Sequence, residues 1–144
     1  MRRLIRLVLA GAFCAGMGAS AGSVKINVSK IENAQLIVYY FHGTARCVTC
    51  RKFETWTQEV LTSSFVDEIK KKRLEYRVVN IDEPGNEHFV HDYGLYTKSV
   101  VLSEIKDGRR TRSKNLEKIW DLARDEEAYK AYVRDEVSSF IAKG

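Results

Sequence analysis

The sequence predicts an α/β domain, a central mixed β-sheet flanked by helices, and three observations predict it. Residues 36–41 read Leu-Ile-Val-Tyr-Tyr-Phe, six apolar or aromatic residues without a charge. A run this short and this rich in β-formers is a strand, and one apolar on both faces belongs inside a sheet covered on both sides. From Cys47 onward, Phe53, Trp56 and Val60 recur at helical spacing while Arg51, Lys52, Glu54 and Glu59 take other faces. That is the pattern of an amphipathic helix, and Phe65, Val66 and Ile69 extend it as a second piece. A strand over 74–81 follows, closed by Asp82-Glu83-Pro84-Gly85, whose proline and glycine punctuate the chain. Strand, helix and strand in that order form a crossover that sets the two strands parallel.

The later elements complete the sheet and its cover. Residues 86–93 read as a short helix ended by Gly94, a residue suited to left-handed backbone angles at a helix end. Residues 100–105 and 109–114 flank Lys106-Asp107-Gly108, and Asp-Gly is a strong hairpin signal. Tyr129, Tyr132, Val133, Val137, Phe140 and Ile141 recur at spacings of three and four and predict a closing helix packed on the sheet. Val24, Ile26 and Val28 alternate and are expected to supply a short edge strand ahead of these elements. Trp56 and Trp120 are expected to face the core from helical segments.

A chain of 144 residues, 44% hydrophobic, fits one such domain. Its first segment reads as a secretory signal: Arg2, Arg3 and Arg6 precede an uncharged run over 7–19, and Ala19-Ser20-Ala21 suggests cleavage before Gly22. The run falls short of the roughly 20 apolar residues of a membrane span. The expected organisation is therefore a signal peptide over 1–21 and one domain over 22–144, exported to the periplasm or beyond, with membrane contact only through export. Removing three arginines and no acid lowers the formal charge from +5 to +2. The basicity is thus largely a targeting feature. The remaining basic cluster, Lys70-Lys71-Lys72-Arg73, reads as a solvated helix end, and without paired stacking aromatics nucleic-acid binding is not expected.

Of the three cysteines, Cys14 lies in the leader, leaving Cys47 and Cys50. An oxidising compartment lets such a pair cycle or persist as a disulfide. Cys47-Val48-Thr49-Cys50 falls where the strand gives way to the helix, which raises it above a chance match. There the first sulfur meets unpaired backbone N–H groups and the positive end of the helix dipole, conditions that lower a thiol pKa from about 8.5 into the range of roughly 3.5–7.5. Cys47 is the expected nucleophile and Cys50, one turn on, the resolving thiol. Arg46 and Arg51 would favour the thiolate further if their side chains lie nearby. A purely structural disulfide closing so short a loop restrains little of the unfolded chain. A zinc site lacks a second cysteine pair or paired histidines to complete four ligands.

With these features in place, the chain from residue 36 onward resembles the thioredoxin superfamily. Val79-Asn80-Ile81-Asp82 is similar to that superfamily's strand after the redox helix, and Tyr93-Gly94-Leu95 to its turn before the third core strand. More narrowly, Tyr39-Tyr40-Phe41-His42-Gly43, Arg46-Cys47-Val48-Thr49-Cys50-Arg51 and Tyr96-Thr97-Lys98-Ser99 resemble the nitrophenyl compound nitroreductase subunit ArsF family. The resemblance implies a thioredoxin-like fold, thiol–disulfide exchange with protein redox partners and no cofactor beyond the redox-active disulfide. No flavin or nicotinamide motif is present, so a reductase role would be electron delivery to another subunit.

Departures from ordinary thioredoxins set a second reading beside the first. Ser99 stands where those proteins carry a cis-proline, and the lone proline, Pro84, lies in a different loop. In the superfamily that proline hinders metal capture, so its loss opens a periplasmic metal or metalloid carrier using Cys47 and Cys50 with His42 as third ligand. Residues 36–41 hold no acidic residue for proton transfer from the resolving thiol. His42 is the nearest titratable candidate in sequence, as base or ligand, against the plainer reading of a histidine hydrogen-bonded at the end of a strand. His88 and His91, one turn apart beside Glu87 and Asp92, are expected to be exposed helix surface.

Overall fold

The computed structural model describes residues 34–144. Residues 1–21, expected to form a signal peptide and holding Cys14, and the alternating Val24, Ile26 and Val28 lie outside the described residues. The elements follow in the order β1 (Ala34–His42), α1 (Val48–Ser64), α2 (Val66–Lys70), β2 (Leu74–Asn80), α3 (His88–Tyr93), β3 (Ser99–Lys106), β4 (Arg109–Asn115), a 3₁₀ turn (Glu117–Ile119) and α4 (Glu126–Ala142).

The uncharged strand is central, as its composition demands. The sheet runs β2-β1-β3-β4, with β1 parallel to β2 from Leu36↔Leu74 to His42↔Asn80 and antiparallel to β3 from Ala34↔Lys106 to Phe41↔Ser99. Both of its edges are therefore paired, and both of its faces are covered. Leu36, Val38 and Tyr40 join Val100 and Leu102 under α1 and α4, while Ile37, Tyr39 and Phe41 join Val101 and Leu95 under α3. A parallel β-α-β unit followed by a helix, an antiparallel hairpin and a closing helix, in this strand order, is the thioredoxin-like fold.

The hairpin forms where Asp-Gly predicted it. Asp107 and Gly108 both adopt positive φ, 52° and 73°, the two left-handed positions that a tight hairpin turn requires. Gly94 ends α3 at φ 60°, and the N–H of Leu95 returns to the Val90 carbonyl at 2.9 Å, satisfying an end-of-helix acceptor. The basic cluster ends α2: Lys70 is its last residue, and Arg73 reaches back to Glu68 at 2.8 Å.

The helical face of the sheet is knitted by aromatics and one hydroxyl pair. On α1, Phe53, Trp56, Thr57, Val60 and Leu61 are buried, and on α4, Tyr129, Val133, Val137 and Phe140. Tyr129 stacks on Phe53 with ring centroids 5.1 Å apart. Its hydroxyl lies 2.8 Å from that of Thr57 and donates to the Phe53 carbonyl at 3.3 Å. Trp56 faces the core as expected, but Trp120 does not. It is 39% exposed, packs edge-on against Phe53 and donates its indole N–H to the Lys98 carbonyl at 3.1 Å. The stretch between β4 and α4 is a 3₁₀ turn followed by further turns, which seat Leu116 and Ile119 in the core and leave Trp120 at its edge.

At the far end of the sheet from the cysteines, Glu104 is a buried carboxylate. Arg112 and Lys106 pair with it at 3.0 and 3.2 Å, and Thr111 donates to it at 2.6 Å. Burial alone would raise its pKa, yet the hydrogen bonds from Arg112, Thr111 and Lys106 outweigh burial and lower it from 4.5 to about 2. A folded value below the unfolded one means that this stabilisation is complete above about pH 4.5 and is lost as pH falls toward 2. At neutral pH the difference is worth about 3 kcal/mol. Glu104→Gln is expected to lower the neutral-pH stability by about that amount and to flatten the pH dependence below 4.5, as read from urea midpoints between pH 2 and 7.

Candidate functional site

The site lies at the C-terminal end of β1, where α1 begins. Residues 43–46 carry the chain from one to the other, and the turn after β2 holds this loop in place. The Asp82 carboxylate accepts from the Thr44 N–H at 2.7 Å, and Asn80 donates to the Thr44 hydroxyl at 3.2 Å. Gly43 permits the approach, because a Cβ there would meet Asp82 Oδ2 at 2.8 Å.

Cys47 is the N-cap of α1, with extended backbone angles (φ −90°, ψ 169°). It is disulfide-bonded to Cys50, the Cα atoms 5.1 Å apart. Each sulfur also accepts from the other residue's backbone: Cys50 N–H donates to Cys47 Sγ, and Cys47 N–H to Cys50 Sγ, both at 3.2 Å. The pair thus takes the reciprocal place that serine and glutamate occupy in a capping box. Its sulfurs lie against the N–H groups that a helix end leaves without partners. The two cysteines differ in access: Cys47 is exposed and Cys50 fully buried.

Tyr40 is the site residue that the sequence reading missed. It is fully buried on β1, and its hydroxyl donates to the Cys50 carbonyl at 2.7 Å. Burial raises its pKa to about 12 against the opposing charge of Arg46, so the hydroxyl remains a donor at every ordinary pH. The available signal was parity: Tyr40 alternates with Val38 toward the helical face, one pair of residues before the strand ends.

Arg46 makes an ion pair with Glu54, which balances its charge instead of leaving it to the sulfur. Arg51 is exposed on α1. His42 is buried at the end of β1, its Nδ1 2.8 Å from the Gly43 carbonyl, the plainer of the two roles expected for it. With the cysteines disulfide-bonded, no group of three or more His, Cys, Asp or Glu side chains among the described residues is placed to hold a metal ion. His88 pairs with Asp92 at 3.0 Å on the exposed surface of α3, as expected there. Ser99 is buried beside Phe41, and its hydroxyl donates to the Thr97 carbonyl at 2.9 Å.

No family model matches the chain. Among solved structures it is similar to the thioredoxin of Fasciola hepatica, 19% identical over 75% of this chain and 88% of that one, with a TM-score of 0.41. The germline-specific thioredoxin Deadhead of Drosophila melanogaster is 16% identical over 81% and 87% of the two chains, TM-score 0.43. Thioredoxin O2 of Arabidopsis thaliana in its oxidised state is 20% identical over 62% and 73%, TM-score 0.36. The fold assignment stands on the chain's own strand order and connections.

Unequal access should appear as unequal reactivity. After reduction, iodoacetamide is expected to alkylate Cys47 faster than Cys50 by roughly tenfold or more, as read by peptide mass spectrometry over time. Tyr40→Phe is expected to cost about 1 kcal/mol in urea unfolding and to keep the order of alkylation, because the exposure of Cys47 does not depend on that hydroxyl.

Proposed function

We propose that the chain is a thiol–disulfide oxidoreductase whose reacting pair is Cys47 and Cys50. One observation carries this reading: an exposed sulfur at the N-cap of a helix is bonded to a buried sulfur one turn along. A partner thiolate can attack Cys47 Sγ, breaking the Cys47–Cys50 bond and releasing Cys50 as a thiolate. A second partner thiolate then attacks the partner's own sulfur in the mixed disulfide and releases Cys47 as a thiolate. The partner loses two electrons and becomes a disulfide, and Cys47 and Cys50 gain them as thiols. In the reverse direction Cys47 attacks a partner disulfide and Cys50 resolves the mixed species. The helix end lowers the cost of negative charge on Cys47 in either direction.

The pair itself carries the electrons, so the exchange needs no bound cofactor, and its substrates are protein redox partners. The leader read over 1–21 supports an exported domain, in a compartment where such pairs meet protein disulfides. The resemblance to the ArsF family supports a finer reading, electron delivery to a larger reductase, which co-purification of a reductase with the tagged full chain would test.

The exchange is tested by insulin reduction with dithiothreitol as donor. Cys47→Ser is expected to reduce the rate to the uncatalysed background. Cys50→Ser is expected to accumulate a mixed disulfide through Cys47, visible on a non-reducing gel. Full activity in Cys47→Ser would overturn the assignment.

A further inference from the structure

From the charge arrangement beside the disulfide, we infer that the chain's redox partners present their reactive cysteines flanked by acidic side chains, which dock on Arg51 and Lys52. This rests on the exchange chemistry proposed above and names the substrate class of the same site.

The first turn of α1, like that of the short α3, lacks the acidic residues that open α2 and the other long helix, α4. α2 opens with Asp67 and Glu68, and α4 with Glu126 and Glu127, the placement that offsets a helix's positive end. The first turn of α1 holds no acidic residue. The next residues are Arg51 and Lys52, both exposed, and neither makes an ion pair among the described residues. The carboxylates further along α1 are already engaged, Glu54 by Arg46 and Glu59 by Lys130 at 2.5 Å. The two free cations and the helix end therefore add their fields without local compensation.

These cations border an open cleft lined by Arg46, Val48, Arg51, Lys52, Thr55 and Trp56. Lys52 is held along it, its Nζ 5.5 Å from the centre of the Trp56 ring. Val48, next in sequence to the exposed cysteine, is 74% exposed and offers an apolar contact in the same cleft. Acidic groups at this end of the sheet, Asp82 with Glu83, belong to the turn after β2, where Asp82 holds the Gly43–Thr44 loop. The charge is thus one-sided: positive along α1, negative across the loop. Since the cleft is lined by Arg46 and Val48, the residues on either side of Cys47, a partner that brings a thiol or disulfide to that sulfur meets it, and charge complementarity makes that partner acidic on the α1 side.

The test uses dicysteine peptides of one length, with acidic, neutral or basic residues beside the cysteines, as reductants of the oxidised protein in stopped flow. At low ionic strength the acidic peptide is expected to react about tenfold faster than the basic one, and 0.5 M salt should shrink that ratio several-fold. In Arg51→Glu/Lys52→Glu the order of the two peptides should reverse, a ratio that cancels any change in sulfur reactivity common to both. Equal rates for acidic and basic peptides, or an order unchanged in the double variant, would overturn the inference. Dithiothreitol, which is uncharged, separates the two levels: its failure to reduce the wild-type disulfide would reject the exchange chemistry itself, whereas normal reduction alongside indifferent peptides rejects only the charge preference.

Discussion

The hydrogen bond from Tyr40 to the Cys50 carbonyl is the join on which the site depends. It runs from the central strand to the first turn of α1, at 2.7 Å and out of contact with water. A helix end is a poor place to hold geometry, because its first N–H groups lack intrahelical partners and its residues fray. Here the sheet grips the first turn from below, and the disulfide satisfies two of the free N–H groups from above. The loop between strand and helix is held from the side by Asp82 and Asn80. The central strand and the end of β2 with its following turn thus hold the first turn of α1 and the loop leading into it, in which one sulfur lies outside and the other inside.

That division has a structural cause further along the chain. Cys50 is buried in the register of Phe53, Thr57 and Leu61, the stripe of α1 that meets the sheet and α4. Its burial is therefore set by the amphipathic face of the whole helix. Tyr129 locks that face by bonding both Thr57 and the Phe53 carbonyl. Cys47 lies one residue before the helix starts, off this stripe, and is exposed for the same reason. The asymmetry that exchange chemistry needs follows from helical periodicity plus the position of the cap.

This is also why so much was legible in the sequence. Both determinants, an uncharged strand and a 3.6-residue stripe that begins at a cysteine pair, are local patterns. The Asp107-Gly108 turn, the Gly94 stop and the closing helix are local too, and all three are where their residues indicated. What escaped were pairings between distant segments. The Tyr40 contact spans 10 residues, the Asp82 contact 38, and the seat of Trp120 depends on the Lys98 carbonyl, 22 residues away. Arg46 shows the same limit at shorter range. Proximity to Cys47 in sequence suggested an effect on the sulfur, but a carboxylate two helical turns into α1 captures the guanidinium. His42 keeps to short range, its Nδ1 lying 2.8 Å from the carbonyl of the next residue, Gly43.

The choice of a tyrosine under the helix bears on the sulfur chemistry. A buried carboxylate in contact with Cys50 would oppose a second negative charge nearby and raise the thiol pKa. Among the described residues no carboxylate hydrogen-bonds to either cysteine, and the buried group that does reach this turn is a hydroxyl that stays neutral to about pH 12. A helix end of this kind favours a thiolate at its N-cap over a neutral sulfur. In the proposed exchange chemistry that field would stabilise the reduced state relative to the oxidised one, the direction in which strongly oxidising dithiols are tuned. The end of α1 that would select an acidic partner is, in the same proposed chemistry, also the end that would make Cys47 a good leaving group.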